Sequence, residues 1–171
     1  DRSPSRGLGD VYKRQVAQRA LEERPELGGE DRKVAVLFID VIGSTTFAVN
    51  HTPEEVVEEL NKFFEHVVEV VHRNKGIINK FQGDAALAVF GAPLTVYDAN
   101  SMALQAAREL RQELRGLQLQ AGIGVAAGHV VAGHIGGADR FEYTVIGDAV
   151  NEAARLTELA KDTPGQVLTN S

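Results

Sequence analysis

Cysteine is absent from the 171 residues. That excludes disulfide scaffolds, thiolate-bound zinc, iron–sulfur clusters and thiol catalysis. Long apolar runs are missing too: none is longer than VAVLFI at 34–39, far short of a membrane span. Basic charge is in deficit, with 18 Lys and Arg against 24 Asp and Glu and a net charge of −6. This balance argues against a general nucleic-acid binder. There is no signal-peptide pattern, internal repeat or low-complexity tract. The remainder is ordinary for a folded protein, 43% hydrophobic and 25% charged, and long enough to bury a core. Composition alone leads to the expectation of one soluble, intracellular domain.

The beginning of the chain stands apart. Residues 1–15, DRSPSRGLGDVYKRQ, show no hydrophobic periodicity and look like a translated sequencing-adapter tail, with a basic disordered arm as the alternative. They hold four basic and two acidic residues, so the net charge without them is −8. Residues 16–32 read as a linker: a short helix broken near Pro25, then Gly-Gly.

From residue 33 the hydrophobic pattern becomes regular. KVAVLFID (33–40) is a nearly continuous apolar run, as expected of a strand buried on both faces. VIGSTTFAVNH (41–51) reads as turn-rich. Thr52, Pro53 and Glu55 then form a capping box with proline at the first helical position. The helix behind it sets Val56, Leu60, Phe63, Phe64, Val67, Val68 and Val71 at helical spacing and stops near Gly76. IINKF and AALAVFG are two strands joined by a tight turn at QGD. A second amphipathic helix is expected over 96–115 after the break at Pro93. LQAGIGVAAG and HVVAGHIG read as two strands and FEYTVIG as another, followed by a helix over 148–161 and a strand at QVLTN.

The first six elements run β-α-β-β-α-β, the order of a ferredoxin-like, palm-like α+β core, here extended by further strands and a helix. In that topology the first and third strands are antiparallel neighbours at the sheet centre. Asp40 closes the first, and Asp84 opens the third from its turn, so two carboxylates 44 residues apart reach the same end of the sheet. Each alone is an ordinary turn aspartate. Together they repel unless positive charge lies between them, and two divalent metal ions holding a triphosphate would supply it.

Four segments resemble the class III adenylate and guanylate cyclase catalytic domain: FIDVIGST (38–45), NKFQGDAALAVFG (79–91), AGHVVAGHIG (127–136) and YTVIGDAVNEAARL (143–156). The wording is most like that of actinobacterial adenylate cyclases whose catalytic domain follows a membrane-anchored HAMP linker. The resemblance covers 33–171 and implies that Asp40 and Asp84, with the backbone carbonyl of Val41, hold two Mg2+ or Mn2+ ions. It implies that the amides of the Gly43, Ser44 and Thr45 turn approach the phosphates. Lys80 and Thr144 match the purine-reading positions, where guanylate cyclases usually carry Glu and Cys, so ATP is the expected substrate. Asn151 matches the residue that orients the ribose, and Arg155 the one that stabilises charge developing on the phosphate. By their residue types alone, Lys80 is a solvated hairpin lysine, Thr144 a strand former, and Arg155 a surface residue pairing with Glu152 or Glu158. His129 and His134 are not expected to bind metal, because five residues apart on a strand they face opposite sides.

The implied reaction is in-line attack of the ribose 3′-hydroxyl on the α-phosphorus with loss of pyrophosphate, assisted by two metals and an arginine and needing no side-chain nucleophile. The resemblance also implies a site shared between two copies in a head-to-tail homodimer, placed in the cytoplasm, without nucleic acid as a partner. A HAMP or membrane sensor region is expected upstream in the full-length protein. Two departures from the family pattern stand out: the pattern continues beyond Ser171, and Gln166 occupies a place where the family often has arginine. By itself this stretch is therefore expected to be weakly active or inactive, the complete gene product active. The alternatives are a non-catalytic nucleotide-binding regulatory domain of cyclase ancestry and a guanylate cyclase. A diguanylate cyclase is disfavoured by FQGDA at the hairpin, and a polymerase palm by the acidic charge.

Overall fold

The computed structural model describes residues 29–135, 142–162 and 167–170. The expected adapter tail, most of the linker and Gln166 lie outside the described residues. Strand β1 (Gly29–Ile42) is the axis of the molecule. It pairs antiparallel with β3 (Ala85–Phe90) on one side and β4 (Gln120–Ile135) on the other. Adding β2 (Ile77–Gln82) and β5 (Glu142–Ile146) gives the order β2-β3-β1-β4-β5, with β6 (Val167–Thr169) parallel to β4. The expected antiparallel pairing of the first and third strands is present, in the expected α+β arrangement.

Both faces of the sheet are covered, which is why residues 34–39 read as one apolar run rather than an alternating one. Ala35, Leu37 and Ile39 point into a core with Phe63, Val67 and Val71 of α2 (Pro53–Arg73) and Ala103, Ala106 and Leu110 of α3 (Ala99–Glu113). Val34 and Val36 point the other way, into a second core with Ala149, Ala153 and Leu156 of α4 (Asp148–Ala160) and Tyr143 and Val145 of β5. The capping box forms as read: the Glu55 amide donates to Thr52 Oγ1 at 3.2 Å and the Thr52 amide to Glu55 Oε1 at 2.8 Å.

Three expectations need correction. The turn-rich segment after β1 holds a short helix, α1 (Ser44–Val49), because Gly43 at φ 68° reverses the chain and its carbonyl accepts from the Phe47 amide at 3.0 Å. The strand start expected at Lys33 lies at Gly29, four residues into the expected linker. LQAGIGVAAG and HVVAGHIG are a single strand, β4. Ala-Ala-Gly at 126–128 suggested a break, but the ladder with β1 runs unbroken from Ile42↔Gln120 to Gly29↔Gly133. Small residues there serve the approach of a helix, not a turn.

That helix is α4, and it sits almost on the backbone of β4. A Cβ at Gly124 would press on the Ala153 carbonyl oxygen and lie 2.6 Å from the Thr157 amide nitrogen. One at Gly122 would lie 2.7 Å from the Thr157 carbonyl oxygen. The Thr157 hydroxyl is 2.9 Å from the carbonyl oxygen of Phe38 and 2.8 Å from that of Ala153, and so ties the helix to β1. Gly124→Ala is therefore expected to cost about 2–3 kcal/mol in urea unfolding by overpacking. Gly116→Ala, whose Cβ would meet nothing within 4 Å, serves as the control and should leave the midpoint almost unmoved.

Candidate functional site

Asp40 pairs with Ala85 at the end of the β1–β3 ladder, and the Val41 amide donates to the Asp84 carbonyl at 3.2 Å. Strand pairing alone thus brings the two carboxylates together, as the spacing implied. Asp40 is half-buried, and its pKa is raised above the ordinary value. Burial is the largest cause; the Lys161 ammonium pulls the other way, while the neighbouring Asp84 pushes up again. Next along the chain, the left-handed turn at Gly43 starts α1, so the amides of Ser44 and Thr45 belong to its unpaired first turn.

Lys161 is one residue that sequence reasoning missed. It caps the C-terminal end of α4 and places Nζ 2.8 Å from Asp40 Oδ2 and 2.7 Å from Glu158 Oε2. Burial alone lowers its pKa, but the hydrogen bonds to Asp40 and Glu158 win and hold it above the usual lysine value. A signal was available: Ala149, Ala153, Thr157 and Lys161 recur every four residues, and the first three are buried against the sheet. A lysine continuing a buried stripe needs a partner inside.

The purine-reading candidates lie on β2 and β5, which do not pair as strands. The β2–β3 register shifts between Ile78 and Lys80, leaving Asn79 in a bulge. Its buried side chain turns across to donate from Nδ2 to the Tyr143 carbonyl at 3.4 Å. Lys80 and Thr144 are each the next residue after a partner of that bond, the first exposed and the second half-buried.

Asn151 and Arg155 share one face of α4 and both are exposed. Arg155 makes a fork to Glu152, Nε to Oε1 at 2.6 Å and Nη2 to Oε2 at 3.0 Å. This is the surface pairing that its residue type suggested. Glu158, the other acid considered, goes to Lys161 instead. Arg155 therefore does not meet the carboxylate pair within one chain. His129 is exposed and faces Asp31 at 3.3 Å; among the described residues no group of three or more His, Cys, Asp or Glu is placed to hold a metal ion.

The charge balance at Asp40 is directly measurable. In the cation-free protein, NMR titration should find its carboxyl above the ordinary aspartate range. Lys161→Met should raise it further and Asp84→Asn should lower it; shifts in the opposite sense would contradict this arrangement.

With this geometry in view, comparisons with known proteins are informative. The model of the adenylate and guanylate cyclase catalytic domain matches residues 29–169. An uncharacterized protein of Mycobacterium tuberculosis, Rv1318c, is 53% identical over 160 residues, 92% of this chain and 30% of that protein. The chain thus spans about a third of the length of such relatives. Among solved structures, the guanylyl cyclase Cya2 is 36% identical with a TM-score of 0.69, covering 83% of this chain and 77% of that one. The adenylyl cyclase CyaB from P. aeruginosa is 28% identical with the same TM-score, covering 84% and 79%. By that match over residues 29–169, this chain belongs to the family of adenylate and guanylate cyclase catalytic domains.

Proposed function

We propose that residues 33–171 belong to the catalytic domain of an adenylate cyclase, which converts ATP to 3′,5′-cyclic AMP and pyrophosphate in a head-to-tail homodimer. The observation that carries the reading is the pairing of Asp40 and Asp84 where β1 and β3 meet. Two carboxylates and the Val41 carbonyl are hard oxygen donors, and burial together with the neighbouring Asp84 works against an ionised Asp40 despite Lys161. They fit Mg2+ or Mn2+, which commonly take one or two carboxylates and complete their shell with phosphate oxygens and water. Bound there, such ions would acidify the ribose 3′-hydroxyl and neutralise the triphosphate.

The remaining roles fall to this chain's own groups. The amides of Ser44 and Thr45, freed by the Gly43 turn, donate to phosphate oxygens. Lys80 donates to the adenine N1 acceptor, and Thr144 accepts from the N6 amino group. Asn151 orients the ribose, and Arg155, on leaving Glu152, stabilises the charge that grows on the phosphate. The bond of Arg155 to Glu152, with none to Asp40 or Asp84, supports the reading that the two halves of the site come from two copies. Val131 and Ile146, directly opposed in the β4–β5 ladder, support a covered surface there: they are 54% and 60% exposed, on the face that also carries Thr144. In the full-length protein a HAMP or membrane sensor region would precede this domain, leaving it in the cytoplasm; no described helix is itself long and apolar enough to cross a membrane.

Guanylate cyclase is the second reading, favoured by the higher identity to Cya2 than to CyaB. Product analysis of the full-length protein with Mn2+ separates the two. Cyclic AMP from ATP should form about tenfold faster than cyclic GMP from GTP, and Lys80→Glu with Thr144→Cys should move the preference toward GTP. Arg155→Ala should lower kcat about 100-fold, the scale of losing one charge-stabilising donor. Preferred turnover of GTP by the unaltered protein would overturn the adenylate assignment, and turnover of neither nucleotide the enzymatic one.

A further inference from the structure

Lys161 has no part in the proposed chemistry, yet it is bonded to Asp40, one of the two paired carboxylates. Its position is built in by three features. Its stem lies over Gly122, the ladder partner of Asp40, where a Cβ would come within 3.0 Å of Lys161 Cγ. Thr157, one turn earlier, is fastened to the Phe38 carbonyl two residues before Asp40. The side chains of Lys161 and Asp40 are only 26% and 21% exposed, so this is no freely solvated surface pair.

Asp40 and Asp84 bring two negative charges and Lys161 one positive. A divalent cation held by Asp40 would stand beside an ammonium that is itself 2.8 Å from the same carboxylate. In a partly desolvated site two such positive charges repel strongly, and Asp40 cannot serve both at full strength. Glu158, 2.7 Å from Nζ on the outer side and 65% exposed, offers the ammonium a second acceptor.

We propose that Lys161 is an internal counter-ion: it holds Asp40 in place in the cation-free chain and yields it, swinging toward Glu158, when a divalent cation binds. The proposal rests on the reading of Asp40 and Asp84 as cation ligands. Cation uptake is then an exchange of an ammonium for a metal ion. Affinity in the absence of nucleotide is lowered by the ion pair that must be given up, and the carboxylates stay in register while the site waits. Lys161 is in this sense a positioning residue.

The test is titration of the chain with Mn2+ alone, without nucleotide, following free Mn2+ by electron paramagnetic resonance, alongside thermal unfolding in chelator. Lys161→Met, which keeps the stem, should bind Mn2+ about fivefold tighter, the scale of a modest ion pair, and should melt lower than the unaltered chain in chelator. Glu158→Gln, which removes the second acceptor, should bind Mn2+ more weakly than the unaltered chain. Asp84→Asn reports on the cation site itself and should lose affinity. If Asp84→Asn weakens binding while Lys161→Met binds equally or less well, the counter-ion role is overturned and the cation site stands. Equal binding by Asp84→Asn and the unaltered chain overturns both. Should Lys161→Met fail to fold, Glu158→Gln decides: unchanged or tighter Mn2+ binding overturns the proposal.

Discussion

The seating of α4 on the bare backbone of β4 governs the rest of this structure. Gly122 and Gly124 leave no side chain between helix and strand, so the helix backbone itself meets the sheet. Such closeness brings the Thr157 hydroxyl to the Phe38 carbonyl and the Lys161 ammonium to Asp40. It also sets which face of α4 is left outside, the face of Asn151 and Arg155. A helix held farther off by side chains at these two positions would lose both bonds to β1. The apolar stripe of Ala149, Ala153 and Ala160 supplies part of the adhesion, while the two polar bonds fix where along the strand the helix stops.

Electrostatics then follow from topology. Antiparallel pairing of β1 and β3 brings Asp40 and Asp84 to one end of the sheet whatever the cost of their repulsion. That cost is met locally, since Lys161 supplies positive charge at the spot where burial and Asp84 both work against an ionised Asp40. Arg155 shows a parallel arrangement in weaker form. Its fork to Glu152 is an exposed, solvent-screened bond between residues three apart on a helix, a kind that contributes little. Such a bond keeps the guanidinium ordered without committing it, whereas the Lys161 ammonium is held from two sides, by sheltered Asp40 and by exposed Glu158.

Much of this was legible in the sequence, and the gaps have physical reasons. Residues 33–40 were readable as a doubly buried strand because a covered sheet leaves no polar face to interrupt the run. The Thr52–Glu55 capping box was readable because every partner lies within four residues. The order of elements was enough to foresee that Asp40 and Asp84 would meet. The unity of β4 was not readable. Its Ala-Ala-Gly centre has the composition of a break, and only the equally long partner β1 keeps it extended. Lys161 was missed for the same kind of reason: a lysine at a helix end ordinarily faces water, and its true partner is 121 residues away. Asn79, in its bulge, was passed over because its bond to Tyr143 joins two strands that share no ladder.

In the proposed reading one chain carries both halves of a nucleotide site and completes neither, with Asp40 held by Lys161 and Arg155 held by Glu152. Mixing two inactive variants of the full-length protein tests it most directly. In a head-to-tail dimer, Asp40→Ala and Arg155→Ala copies combine so that one of the two sites inherits both defects and the other none. With random pairing in equal amounts, activity should recover to about a quarter of that of the unaltered protein. Mixtures that stay as inactive as either variant alone, while still forming mixed dimers, would contradict the account.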